Sequence, residues 1–164
     1  DLYEGKGADA LRRFDERWGA LRGSFILRVQ VGRALATYLR GCAAVATAER
    51  NDQSINLDRA SRDARRLIAE GAAWIDPLGR LVEAGVAARK HDLSGCVASL
   101  RSAVAGFDAA DMALFAAAAR RRRGAIEGGD AGRAMVRVAD ETMRREGVRA
   151  PEKWTAMLAP GIGE

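Results

Sequence analysis

Histidine occurs once in the 164 residues, at position 91, and cysteine twice, at Cys42 and Cys96, with no CxxC pair. Three such residues cannot build a four-ligand Cys/His zinc site, so no metal or other cofactor is expected. Two widely separated thiols are expected as small buried hydrophobes in a reducing compartment, not as a disulfide framework. Lysine is nearly missing, 3 residues against 24 arginines, and aromatics make up only 5%. The chain has no run of eighteen apolar residues, and it opens Asp1-Leu2-Tyr3-Glu4 without a basic start or an apolar segment. Neither a membrane span nor a signal peptide is therefore expected, which points to a cytoplasmic protein. Residue 1 is not Met, and residues 1–164 are read as one domain from the C-terminal part of a longer protein.

What is abundant is alanine, 34 residues, together with those arginines. Both give up little free energy on entering a helix, and no alternating stretch reads as a strand. The fold expected is all-α with no sheet, built from about seven helices. The spacing predicts helices over Ala8–Leu21, Ser24–Arg50, Leu57–Glu70, Trp74–Lys90, Asp92–Phe107, Asp111–Glu127 and Asp130–Gly147. A short terminal helix runs from Pro151 to Leu158. A polar linker is expected over Asn51–Asn56, and Asp92, Asp111 and Asp130 are each placed to cap a helix. In the long second helix, Phe25, Val29, Gly32, Ala36, Leu39, Ala43 and Ala46 fall on one apolar stripe, and Gln30, Arg33, Thr37 and Arg40 on a polar one.

Helix starts recur about every 35 residues, which is the spacing of stacked helix pairs. A unit beginning at Pro77 places Ala84 at its small eighth position, His91-Asp92-Leu93 in the inter-helix turn, and Cys96, Leu100 and Ala103 along its second helix. This resembles a tetratricopeptide (TPR) repeat and implies antiparallel helix pairs stacked as a TPR-like right-handed solenoid. Such units bury their apolar faces against neighbours and leave one concave surface lined by first helices.

Arg120 to Arg123 cover about 300° of helix azimuth and cannot form a one-faced basic patch. If Met112, Phe115, Ala119 and Ile126 are the buried stripe, Arg121 points to water, Arg120 and Arg122 flank, and Arg123 falls on the stripe and needs a partner. The net charge of +5 is spread among interleaved acids, without a Lys-rich tail or an aromatic-basic pattern, which argues against nucleic acid. Trp18, Trp74 and Trp154 read as anchors between layers. None of the glycine pairs has the spacing of a phosphate-binding loop after a strand. No acid pair, Cys/His pair or Ser/His/Asp set converges, so no catalytic residue is assigned.

Several further signatures coincide: Trp18, Ser24 and Leu27-Arg28-Val29-Gln30; Asp63-Ala64-Arg65-Arg66-Leu67; Asp111-Met112; Ala117-Ala118-Ala119-Arg120-Arg121 and Gly124. Nearer the end come Ala139-Asp140, Met143, Gly147-Val148-Arg149-Ala150-Pro151-Glu152 and Met157-Leu158-Ala159-Pro160-Gly161. Together they resemble the C-terminal TPR-like region of large bacterial serine/threonine protein kinases that carry an ATPase module. Arg123 and Trp154 depart from that pattern, standing where an aliphatic and a smaller apolar residue are usual. The resemblance implies a non-enzymatic regulatory, scaffolding or sensing region, since none of the kinase motifs is in this segment. The residues expected to meet a protein or acidic-peptide partner are Gln30, Arg33, Thr37, Arg40, Arg89, Arg122 and Arg123. The rival expectation is a nucleic-acid-binding regulator using basic helical surfaces.

Overall fold

The fold is taken from a computed structural model, which describes residues 1–47 and 53–162. These residues form eight α-helices: α1 (Gly7–Gly23), α2 (Gln30–Thr47), α3 (Gln53–Ala69), α4 (Asp76–Arg89), α5 (Leu93–Ala109), α6 (Ala113–Glu127), α7 (Gly129–Arg145) and α8 (Pro151–Leu158). Short 3-10 turns at Leu2–Glu4 and Phe25–Arg28 complete the described structure, which contains no strand. The all-α expectation holds, with one helix more than the rounded count.

From α1 to α7 each helix packs on the next, and α2 also reaches α4. The turns from α4 to α5 and from α5 to α6 are three residues long, Lys90–Asp92 and Ala110–Met112, which forces the helices they join to run antiparallel. Both turns are built alike. His91 (φ 60°) and Asp111 (φ 55°) adopt the left-handed conformation, and the next amide closes on the preceding helix, Asp92 N–H to the Ala87 carbonyl and Met112 N–H to the Phe107 carbonyl, each at 2.9 Å. This is a Schellman end. Gly147 (φ 85°) repeats it after α7, with Val148 N–H donating to the Met143 carbonyl at 2.9 Å.

The caps divide accordingly. Asp92 accepts from Gly95 N–H at 2.9 Å, as its position predicts. Asp111 does not cap, because it is the left-handed residue of the turn and Met112 stands at the helix boundary. Asp130 lies inside the first turn of α7, fully exposed, and pairs with Arg133. Pro151 opens α8 at a position where a missing N–H costs nothing.

The long second helix expected from Ser24 is interrupted. Phe25–Arg28 is a 3-10 turn, Val29 is extended, and α2 starts only at Gln30. That break moves Phe25 (72% exposed) and Val29 (41%) off the inward stripe. Thr37, Tyr38, Arg40 and Gly41 turn inward with Cys42 to Val45. The far end of that helix, residues 48–50, lies outside the described residues, as does the start of the expected linker. From Gln53 onward the linker is helical.

One core runs from Ala10 and Leu11 on α1 to Ile162, and a small satellite joins Ala117, Ala139 and Met143 under Trp154. Much of it is alanine, and glycines bring helix axes close. A Cβ on Gly79 of α4 would lie 2.8 Å from the Ala64 carbonyl oxygen of α3, and one on Gly106 of α5 would lie 2.9 Å from Pro77 Cβ of α4. Such contacts put axes near the lower end of the usual interval, about 8 Å.

Candidate partner-binding surface

Arg40 of α2 is 7% exposed. Its Nε donates to Asp63 Oδ2 at 2.8 Å and its Nη2 to Oδ1 at 2.5 Å, while the guanidinium carbon lies 3.5 Å from the Trp18 ring centroid. Arg66, one turn along α3, approaches the same carboxylate at 3.5 Å. A planar guanidinium meets a carboxylate edge-on and an aromatic ring face-on, so this one side chain ties α1, α2 and α3 together. Arg40 is therefore an internal strut, and the polar stripe is not a free docking face at that point. An acid standing between Ala60, Ala64 and Leu67 on the inward face of α3 was the available sequence signal for its partner.

Two turns earlier, Arg33 holds Glu70 at two points, 2.6 and 2.7 Å. The Arg33 pair, helped by a Gln30 side-chain hydrogen bond, holds the Glu70 carboxyl below its ordinary range, against the opposing effect of partial burial. Arg33 and Thr37 share a shallow cleft of about 400 Å3 between α2 and α3 with Arg66 and Glu70. Gln30 and Arg33 thus reach one acid, while Thr37 is buried beneath them.

The arginine run is phased one residue away from the expected register. Arg122 is the buried member, 6% exposed, and Arg123 lies partly exposed beside Glu127 at 3.0 Å. Arg121 does not point to water, because its Nε donates to Asp140 on α7 at 2.7 Å. Arg120 pairs with Asp108. The four side chains go to four different partners, so the run presents no basic patch.

Arg122 points at the chain's own C-terminal segment. Its Nε donates to the Ala159 carbonyl at 2.8 Å, and its Nη1 donates to the Ile162 carbonyl. From α2, the Tyr38 hydroxyl donates to the Leu158 carbonyl at 2.5 Å, and Cys42 Sγ lies 3.6 Å from the same oxygen. From α4, Gly85 leaves room for Pro160, whose carbonyl oxygen would be 2.9 Å from a Cβ there. Gly161 (φ 79°) lies between Val45 and Arg89, and Ile162 is fully buried. Burial is the main cause that pushes the Tyr38 hydroxyl well above its ordinary value and the Cys42 thiol to about 12. Both are neutral donors at physiological pH. Tyr38 also meets the Phe115 ring of α6 at 5.9 Å, and Phe115 meets Phe107 of α5 at 5.3 Å.

Side chains of α2 and α6 and the close approach of α4 thus converge on residues 158–162, which cover the faces these helices turn towards them. Of the residues nominated from the sequence, Arg89 and Arg122 meet at this segment, Gln30, Arg33 and Thr37 gather near Glu70, Arg40 is structural, and Arg123 turns aside. Tyr38 and Gly85 were not singled out by the expected stripes, and Cys42 was expected only as a small buried hydrophobe.

No family model matches the chain, nor does any curated protein or solved structure. Among the described residues no cluster of three or more His, Cys, Asp or Glu could hold a metal, and no helix is long and apolar enough to cross a membrane.

Proposed function

We propose that the chain is a non-enzymatic helical-repeat domain of TPR-like architecture that binds a protein partner. By the resemblance of its motif segments, it serves as a regulatory or recruiting region of a bacterial signalling kinase with an ATPase module. The observation that carries the binding role is the set of faces that α2, α4 and α6 turn towards residues 158–162, a helix end and turn held through main-chain carbonyls. A surface that recognises main-chain carbonyls and small side chains is suited to peptide, because every peptide offers backbone carbonyls whatever its side chains. The similar turns at His91 and Asp111 support the repeat reading, since they set successive helix pairs at a similar offset. The acidic-peptide version of this reading loses three of its five arginines, because Arg33, Arg40 and Arg123 already face Glu70, Asp63 and Glu127.

The test is selection of displayed peptides on the folded chain, with titration and NMR mapping of those recovered. Saturable binders that shift resonances of α2, α4 or α6 are expected. Recovery of none on a chain that melts cooperatively would overturn the reading. Binding of duplex DNA at about 50 mM salt, where phosphate contacts are strongest, would replace it with the nucleic-acid alternative.

A further inference from the structure

The segment after α8 is held as a ligand is held. At Ala159 the backbone leaves the helix (φ −130°, ψ 67°), and Gly161 takes a left-handed φ. Two of its carbonyls, those of Ala159 and Ile162, and that of Leu158 at the end of α8 accept from side chains of α2 and α6. Its fit is tight in shape as well. The Pro160 carbonyl oxygen would lie 2.9 Å from a Cβ on Gly85, and the position of Gly161 admits no Cβ, which would fall 2.6 Å from Val45 Cγ1 and 2.9 Å from Arg89 Nε. Ile162 is completely enclosed.

The same segment is attached in a way that lets it leave. Residues 147–150 connect it to α7, with Gly147 and Arg149 exposed. The helix that carries it has eight residues, fewer than the roughly 12–15 at which a helix begins to persist alone in water. Tertiary contacts therefore hold α8 in place, and they can be exchanged for equivalent contacts from elsewhere.

We propose that the inner face of α2, α4 and α6 is a peptide groove whose resident ligand is residues 158–162 of the same chain. Its partners are proteins presenting an uncharged turn of the same kind: a small residue, proline, glycine and an aliphatic residue in succession. The inference rests on the binding role proposed above and gives it a ligand and a regulation. A tethered segment competes at an effective concentration in the millimolar range, so the groove stays closed until a partner offers a better segment or the tether is drawn away. The recognising groups Tyr38, Cys42 and Arg122 are used on neutral carbonyls, which is why the ligand needs no charge.

The experiment uses the full chain with a specific protease site inserted between Arg149 and Ala150, cut under native conditions. A fluorescent synthetic peptide of residues 150–164 is then added. The cut chain is expected to keep its helical circular dichroism and to exchange its own fragment for the labelled peptide in a saturable manner. A labelled peptide carrying Gly161→Val is expected to bind about tenfold or more weakly, and Arg122→Gln in the chain to weaken binding of the parent peptide comparably. The uncut chain should take up little of either peptide. The proposal is overturned if cutting unfolds the chain, since the segment is then simply core. It is equally overturned if a folded, cut chain takes up no peptide, or takes up the Gly161→Val peptide as well as the parent. Should displayed peptides bind a different face while the 150–164 peptide does not bind, this inference falls and the interaction role stands.

Discussion

Gly124 on α6 and Gly132 on α7 face one another so closely that a Cβ on the first would lie 2.7 Å from the carbonyl oxygen of the second. Mid-helix glycine normally costs stability relative to alanine, about 1 kcal/mol, so two in register are retained for the approach they allow. Gly124→Ala is expected to destabilise by about 1–3 kcal/mol in spite of its better helix propensity, because the neighbour that must give is backbone. Gly19→Ala is its control: that site on α1 has nothing within 4 Å and should gain about 0.5–1 kcal/mol. Urea unfolding of the two variants checks the pair, and effects of the same sign would refute the close-packing account.

How far the fold was legible follows from residues such as these. Alanine and arginine content announced helices, and Asp92 and Pro151 marked ends correctly because capping is local. Asp111 and Asp130 misled because a short polar residue suits the left-handed position or the first turn as well as the cap. The phase of α2 failed at Phe25–Val29, where a 3-10 turn resets the register without any proline or glycine to signal it. The pairing of Arg40 with Asp63 and the reach of Arg122 to Ala159 join positions 23 and 37 residues apart. Periodicity has no access to that range, so the groups that define the inner face were named in part and their engagement was not foreseen.

Asp63 carries the clearest stability prediction. It is 1% exposed and is the buried counter-ion of Arg40. Removing one member of a buried pair leaves the other charged and desolvated, so Asp63→Ala should cost about 3–5 kcal/mol. The double variant Arg40→Met/Asp63→Leu should recover most of that loss, because apolar residues of similar volume substitute for a buried pair at little cost. Denaturant midpoints of the two variants give the comparison, and a double variant no more stable than Asp63→Ala alone would contradict it.

Acid should weaken the fold through two identified groups. Glu70 lies below its ordinary 4.5 chiefly because of Arg33, and Asp92 lies below its ordinary 3.8 chiefly because of Gly95 N–H, with Ser94 assisting. In both cases folding favours the ionised form. The stabilisation is therefore complete above about pH 5 and disappears as the pH falls through the folded-state values. The double variant Glu70→Gln/Asp92→Asn, which keeps hydrogen-bonding capacity and removes the charge, should lose less stability than the parent between about pH 6 and pH 3. Thermal melts across that interval decide it, and parallel curves would show that neither carboxylate contributes.

The two thiols should be silent in the native state. Burial is the first cause pushing Cys42 to about 12 and Cys96 to about 11. At pH 8 the thiolate is then a very small fraction, and a reagent needs thiolate and access together. Both cysteines should resist an aromatic disulfide reagent in buffer and react at once in guanidinium. They differ in what covers them. Cys42 lies against the Leu158 carbonyl at 3.6 Å, whereas Cys96 belongs to α5, which does not meet α8 among the principal helix contacts. In the Gly85→Ala variant, where the new Cβ meets the Pro160 carbonyl oxygen at 2.9 Å, the C-terminal segment must shift. Cys42 labelling should accelerate by about tenfold or more while Cys96 labelling stays as it was. Peptide mapping of the labelled chain separates the two sites, and equal acceleration at both would indicate general loosening instead of movement of residues 158–162.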